Sequence, residues 1–328
     1  MPEDNQTYLV TGCAGFIANR VAHFLLEDGH QVVGIDNVND YYDVSLKEHR
    51  LAKLEGFDNF TFYREDLENR EVVRKMFEEH SFDAIINLAA RAGVRYSMEN
   101  PTVYMTTNAM ANLYLLEEMQ QRGIKKYVLA STSSLYAGQE MPFVETLAVN
   151  TPISPYAASK KSAEMMAHSH HHLYDLDISI VRYFTVYGPA GRPDMCIFRF
   201  IKWIDEGTPI TLFGDGSQSR DFTFVDDIAR GTIAALKPTG YEIINLGGGN
   251  QPISLNTIIA KLEDLLGKKA KIENKPFHIA DIKTTWADIS KADTLLNWKP
   301  VVTLDDGLEA CVNWHKENLP WSNEIVLP

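Results

Sequence analysis

The stretch that most constrains the fold lies near the start of the chain. Tyr8-Leu9-Val10 reads as a short buried strand and runs directly into Thr11-Gly12-Cys13-Ala14-Gly15-Phe16-Ile17-Ala18. Apolar residues then recur at helical spacing (Ile17, Val21, Phe24, Leu25), with Gly29 as a stop. Strand, glycine turn and helix in succession leave few architectures open. Glycines allow the tight turn and let the backbone approach a pyrophosphate at the helix N-terminus. Ala18, the third small position, still permits close helix–strand packing. The same turn could close without a ligand, but the next strand supplies a partner for one. Gln31-Val32-Val33-Gly34-Ile35 ends in Asp36-Asn37, roughly twenty residues past the glycines. A carboxylate there suits a ribose 2′-hydroxyl and repels a 2′-phosphate, so NAD is expected over NADP.

The alternation continues. Thr61-Phe62-Tyr63 is a third strand, followed by Asp66-Leu67, where the acid can accept from an adenine amino group or simply cap a helix. Ala84-Ile85-Ile86-Asn87-Leu88 reads as a strand buried on both faces. It leads into Ala89-Ala90-Arg91-Ala92-Gly93, small residues that let a cofactor lie close to the backbone. A long helix is expected from about Pro101 to Gln121, with Asn108 among apolar neighbours. Tyr127-Val128-Leu129-Ala130 and Ile178-Ser179-Ile180-Val181-Arg182-Tyr183-Phe184 are the fifth and sixth strands. Such a pattern predicts a Rossmann-type α/β fold, a doubly wound parallel sheet that binds ligands at the carboxyl ends of its strands.

Chemistry concentrates after the fifth strand. Ser131-Thr132-Ser133-Ser134 places four hydroxyls at a strand end, either an ordinary turn or a sugar-binding edge. Further on, Ser154-Pro155-Tyr156-Ala157-Ala158-Ser159-Lys160 opens a helix running to about Leu173. Tyr156 and Lys160, four residues apart, leave one face of that helix. An ammonium beside a phenol stabilises the phenolate, which makes a usable base near neutral pH. Tyr-x-x-x-Lys alone is a weak signal; its place in this chain gives it weight.

The pattern loosens after Thr185. Gly188 to Asp194 is loop-like, Phe213-Gly214-Asp215-Gly216 is a turn, and Arg220-Asp221-Phe222-Thr223-Phe224 follows. We expect an NAD-binding domain over 1–185 and a smaller mixed α/β substrate lobe over 186–328. Residues from about 225 to 250 should return to the first domain, because Glu242-Ile243-Ile244-Asn245-Leu246 reads as another strand.

A net charge of −13 argues against broad nucleic-acid binding, which needs a basic footprint. Cys13, Cys196 and Cys311 are scattered and odd in number, which suggests neither a disulfide framework nor a zinc site and suits a reducing cytoplasm. The acidic Met1-Pro2-Glu3-Asp4 start does not read as a signal segment, and no apolar run is long enough for a membrane span. His168, His170, His171 and His172 cluster on one helix, but with no obvious carboxylate or thiolate partner they read as a solvated helix end.

Taken together, Thr11-Gly12-x-x-Gly15-Phe16-Ile17, Asp36-Asn37, Asp66-Leu67, the hydroxyl run and Tyr156-x-x-x-Lys160 resemble the extended short-chain dehydrogenase/reductases, which act on nucleotide sugars. The resemblance runs from Tyr8 to about Trp314. Three segments look most like the UDP-glucuronate 4-epimerases of that family: Asp36 to Asp43, Ala92 to Ser97, and Arg182 to Met195. Two positions depart from the usual pattern: Asn87 stands where His is common, and Ala137 where Gly is. His278 and Ala280 also depart, leaving Asp281 as the matching acid of a substrate turn.

The resemblance implies tightly bound NAD, held by Gly12, Gly15, Phe16, Ile17, Asp36, Asn37, Asn39, Asp66, Leu67, Leu88, Ala89, Ala90, Asn108, Tyr156, Lys160, Tyr183 and Phe184. It implies a UDP-sugar held by Thr132, Ser133, Ser134, Thr185, Arg192, Thr211, Phe213, Arg220 and Asp281, with no metal. For Arg192 a surface loop, and for Arg220 a salt bridge to Asp221, are the structural alternatives. Tyr156 would be the base, Lys160 would lower its pKa and hold the nicotinamide ribose, and Thr132 would orient the sugar O4. Related dehydratases carry Asp-Glu directly after the threonine and decarboxylases a Glu; Ser133 and Ser134 stand there instead, which favours epimerisation over elimination. A neutral-sugar 4-epimerase, a uronate decarboxylase and a non-enzymatic NAD-binding regulator are the competing expectations. The family also implies a homodimer, with helices near 101–121 and 155–173 paired as a four-helix bundle.

Overall fold

The computed structural model describes residues 5–277 and 282–327. The chain begins β1 (Thr7–Thr11), α1 (Phe16–Glu27), β2 (Gln31–Ile35), α2 (Val44–Leu54), β3 (Phe60–Tyr63), α3 (Arg70–Glu79) and β4 (Ala84–Asn87). It continues α4 (Val94–Glu99), α5 (Pro101–Met105), α6 (Ala111–Arg122), β5 (Lys126–Thr132), α7 (Pro155–Tyr174) and β6 (Asp177–Tyr183). Then come β7 (Thr185–Tyr187), α8 (Cys196–Glu206), β8 (Ile210–Phe213), β9 (Ser219–Arg220), β10 (Phe222–Phe224), α9 (Val225–Ala234) and β11 (Tyr241–Leu246). The last elements are β12 (Ile253–Ser254), α10 (Leu255–Leu266), β13 (Ile272–Lys275), α11 (Ser290–Leu296) and α12 (Leu304–Ser322).

Among the described residues, seven parallel strands form one sheet in the order β11-β6-β5-β4-β1-β2-β3. The order reverses at β1, whose Leu9 pairs with Val33 of β2 and Ile85 of β4. A crevice opens at that switch point beyond the strand ends. The strands are apolar on both sides because helices cover both faces. Val10, Val128 and Ile244 pack with Val21 and Leu25 of α1 and Ile228 of α9. Leu9, Ile85, Tyr127 and Ile180 pack the other face with Leu115 and Met119 of α6 and Ala163 of α7.

The long helix expected from Pro101 is interrupted. Between α5 and α6, Thr106–Met110 forms one π turn. That wider turn carries the buried Asn108 amide, which donates to the Arg91 carbonyl (3.0 Å) and Ser159 Oγ (2.9 Å) and accepts from the Arg91 N–H (2.8 Å). Three hydrogen bonds to two elements explain why the helix departs from α geometry at that residue. α7 begins cleanly: Ser154 accepts from the Ala157 N–H and Pro155 occupies the first turn.

The lower lobe has its own core, where Ile197, Phe200 and Ile204 of α8 meet Ile210, Leu212, Ile258, Leu262, Leu308 and Val312. β11 sits at the edge of the large sheet beside β6, and α9 packs on α1.

Candidate active site

A cavity of about 270 Å³ lies across the carboxyl ends of the strands. Each strand end delivers a wall. Gly12, Gly15, Phe16 and Ile17 follow β1; Asp36, Asn37 and Asn39 follow β2; Asp66 and Leu67 follow β3; Leu88, Ala89 and Ala90 follow β4. Thr132 closes β5, Tyr156 and Lys160 enter from α7, and Tyr183 and Phe184 end β6. Arg192 and Met195 come from the lower lobe.

Of the residues expected to hold NAD, Asn108 alone does not line this cavity; its amide is committed to Arg91 and Ser159, so it supports the wall from behind. The expected substrate residues divide. Thr132 and Arg192 line the cavity, while Ser133 and Ser134 form a single 3-10 turn just beyond β5. Thr185 faces an adjoining cavity of about 30 Å³ beside Cys196 and Trp314. Thr211 and Phe213 lie on β8 and Arg220 on β9, outside the cavity wall. Asp281, His278 and Ala280 fall outside the described residues.

The glycine turn fits a dinucleotide. Gly12 has φ +73°, and a Cβ there would lie 2.9 Å from Ala89 Cα; at Gly15 it would lie 2.8 Å from the Gly12 carbonyl oxygen. α1 starts at Gly15 without a side-chain cap, so its first N–H groups are left for a phosphate. Asp36 accepts from the Ala14 N–H (3.1 Å) and the Val38 N–H (2.8 Å), which fixes its carboxylate at the cavity edge. Burial raises its pKa, against the hydrogen bonds and the charges of Lys47 and Arg50. Asn37 donates to Asp66 (2.7 Å) and ties the ends of β2 and β3 together.

At the other end, burial pushes the Tyr156 phenol up, while a hydrogen bond from Thr132 and the Arg192 charge pull it down. Thr132 Oγ1 accepts from the Ser134 N–H (3.1 Å), which leaves its proton for the phenol. Lys160 Nζ donates to the Ala130 carbonyl (3.0 Å), and burial lowers its pKa to about 8. Arg192 is locked to Asp194, with Nε 3.0 Å from Oδ1. Asp221 spends its carboxylate on the backbone N–H groups of Gly249 (3.1 Å) and Ala287 (2.9 Å), while Arg220 donates to the carbonyls of Ser219 and Lys283.

Several residues of the wall, and one that supports it from behind, were not singled out from the sequence. Lys47 donates to the Asn39 carbonyl (2.6 Å), and Arg91 to Asn39 Oδ1 (3.0 Å). Arg50 holds the carbonyls of Ala190 (2.7 Å) and Gly191 (3.0 Å), anchoring the loop that carries Arg192. The available signal was two cations at i, i+3 spacing, Lys47 and Arg50, on the buried side of α2. Tyr41 and Tyr42 also line the cavity.

A cavity at the switch point of a doubly wound sheet, with a glycine turn at one end and a Tyr–Lys pair at the other, defines the class: the chain belongs to the NAD dependent epimerase/dehydratase family, whose model matches residues 8–247. NAD is the cofactor of this fold. Within the family, the chain is 63% identical to UDP-glucuronate 4-epimerase of Thermodesulfobacterium geofontis, over 95% of this chain and 97% of that one. A UDP-glucuronic acid 4-epimerase of Bacillus cereus, solved with UDP-glucuronic acid and NAD, superposes with a TM-score of 0.88 at 41% identity, over 95% of this chain and 99% of that one. A UDP-glucose 4-epimerase of Thermotoga maritima, solved with UDP-glucose, is 30% identical with a TM-score of 0.86, over 95% of this chain and 99% of that one. The fold is thus shared by enzymes of both sugar types, and sequence identity leans to the uronate side. Among the described residues no helix is long and apolar enough to cross a membrane.

Proposed function

We propose that this chain interconverts UDP-glucuronate and UDP-galacturonate by epimerising C4 through a transient 4-keto sugar. The observation that carries the reading is the company of Tyr156. The acids lining the cavity are Asp36, Glu65 and Asp66, all beyond β2 and β3 and so across the sheet from β5 and α7. The side chain on the phenol is a hydroxyl, Thr132, and the two residues that follow it, Ser133 and Ser134, carry hydroxyls and not carboxyls. A Tyr–Lys pair with no carboxyl, among the described residues, on the cavity wall at its end of the site can oxidise and reduce C4 but is poorly equipped to eliminate water.

Tyr156 as phenolate takes the O4 proton, and Thr132 orients that oxygen. The charges of Lys160 and Arg192 favour the phenolate over the phenol. NAD, when bound, supplies the acceptor and donor of the C4 hydride. Tyr156 returns the proton after the sugar has turned its other face to the cofactor. Because the cofactor is regenerated in each cycle, it stays bound. A C4 ketone makes the C5 carboxylate a β-keto acid, prone to lose carbon dioxide when the C5–C6 bond aligns with the carbonyl π system. Thr132, Ser133, Ser134 and Thr185 grip that carboxylate out of alignment, with Arg192 as counter-charge. Arg220 takes the pyrophosphate, with Thr211 and Phe213 near the uridine. Residues 1–185, with 225–250, serve the cofactor, and the rest of 186–328 the sugar nucleotide.

The assembly is a cytoplasmic homodimer paired through α5–α6 and α7. Its support is an apolar surface on these helices and the adjoining α4: Met98, Met105, Met110, Met165, Met166 and Leu173 are 37–65% exposed. An apolar run of that extent on a monomer is a docking face. Sedimentation at micromolar concentration should give a dimer; a monomer there ends this part of the reading.

The deciding experiment incubates the purified protein with UDP-glucuronate and no added cofactor. UDP-galacturonate of unchanged mass is expected. A product lighter by carbon dioxide, or turnover of UDP-glucose alone, overturns the reading.

A further inference from the structure

The face of α7 that carries Tyr156 and Lys160 bears a third ionisable group one turn further on. Glu164 is 1% exposed and accepts three hydrogen bonds from two buried partners. Its Oε1 accepts from Ser131 Oγ of β5 (2.6 Å) and Arg182 Nε of β6 (2.8 Å), and its Oε2 from Arg182 Nη2 (2.7 Å). Arg182, itself 1% exposed, donates onward to the Tyr136 hydroxyl (2.9 Å). Tyr136 in turn donates to Asn245 Oδ1 of β11 (2.8 Å). The chain of bonds ties α7 to three adjacent strands directly beneath the catalytic pair.

Hydrophobic packing alone would seat α7 on this sheet, and a buried ion pair is an expensive way to do it. Its position explains it better. Residues i, i+4 and i+8 of a helix share a face, so Glu164 stands beside Lys160 as Lys160 stands beside Tyr156. We propose that Glu164, held by Arg182 and Ser131, is a positioning residue that keeps Lys160 charged and aimed at Tyr156, and so sets the alkaline limit of the reaction. This rests on the Tyr156–Lys160 chemistry proposed above.

The surroundings of Lys160 support the assignment. It is 4% exposed, burial disfavours its charged form, and the one charge opposing that loss is Glu164. Its Nζ donates to the Ala130 carbonyl (3.0 Å), and Tyr156 on its own helix, Thr132 and Tyr183 line the cavity with it. Around Glu164 stand Arg182 from β6, Lys161 on α7 with Nζ at 3.4 Å, and Tyr241 of β11, whose phenol is pushed up by burial first and by this carboxylate second. Of this ion pair, the Glu164 carboxylate is the charge that acts on the Lys160 ammonium.

The test titrates Lys160 directly, by ¹³C NMR of the ε-carbon in lysine-labelled holoenzyme, alongside the pH dependence of kcat. Glu164→Gln should lower the Lys160 midpoint by about one pH unit and move the alkaline limb of kcat with it, leaving KM near the parent value. Glu164→Asp, which keeps the charge, should restore most of the limb. Glu164→Gln with Arg182→Met removes both charges and should fall between Glu164→Gln and the parent; if Glu164→Gln alone does not fold, this pair decides. A Lys160 midpoint equal to the parent's in whichever of these two proteins folds overturns the proposal, as does a double variant as low as the single one, which would mark a loosened helix and not a lost charge. If the parent turns over no UDP-glucuronate, the function reading fails, and the NMR titration still decides the role of Glu164.

Discussion

The two halves of the site are built differently. On the cofactor side, most wall residues sit within a few positions of a strand end in one seven-stranded sheet, with Tyr156 and Lys160 added from α7. On the substrate side, the strands are scraps: β9 pairs with β12 through two residues and β10 with β7 through three. There the backbone is held by side chains instead. Asp221 takes the N–H groups of Gly249 and Ala287, and Asp227 those of Val301 and Val302 (both 3.0 Å). A ladder fixes many residues together, whereas an Asp cap fixes two and can be moved one at a time. The first half is therefore suited to constant chemistry, and the second to a choice of sugar nucleotide on the same fold.

The largest expected effect tests whether the chemistry belongs to the ladder half alone. Tyr156→Phe should lower kcat by about a thousandfold or more, as loss of a general base does, with NAD content and UDP-sugar affinity near the parent values. A variant that turned over like the parent would remove Tyr156 from the reaction and the catalytic half with it. Arg220→Ala should act on the other half. Loss of one charge-assisted contact to a diphosphate should raise KM by roughly ten- to a hundredfold, with NAD content unchanged. Loss of NAD in that variant would show that the halves are not separable.

The same contrast explains what could be read from the chain. Glycines, Asp36, Asp66 and Thr132 announce themselves because the period of strands and helices places each at a strand end; Tyr156 and Lys160 do so by sharing one face of a helix, and the cavity collects them all. Asn108 was legible as a buried polar residue but not as a π turn, because its partners Arg91 and Ser159 lie 17 and 51 residues away. Arg50 was invisible for the same reason. It meets Ala190 across 140 residues, and no local pattern encodes that pairing. Arg220 was legible as a cation in a loop, but Asp221, its supposed salt-bridge partner, serves backbone groups 28 and 66 residues on. Side-chain locks between distant segments carry little local signal, and the substrate half is made of them.

The smallest effect sharpens the comparison where the halves meet. His49 of α2 lies against Trp321 and Trp314 of α12, with ring centroids at 4.7 and 5.9 Å. Its Nε2 is buried with no hydrogen-bond partner. Burial, with the charges of Lys53 and Arg50, depresses its pKa to about 4. An unfolded histidine titrates near 6.5, so between these values the unfolded chain binds more protons than the native one. Stability from this residue is therefore present above about pH 6.5 and is lost as pH falls through 4. The full shift corresponds to about 3 kcal/mol; solvent around a half-buried ring reduces that to about 1–2 kcal/mol. His49→Phe keeps the aromatic contact with both tryptophans and removes the proton. The melting temperatures of parent and variant should diverge by a few degrees on going from pH 7 to pH 4.5, the parent losing more. All other titrating groups are common to both proteins, so their difference isolates His49. A difference that stays flat across that range would mean that α12 does not hold the two halves together through a neutral imidazole.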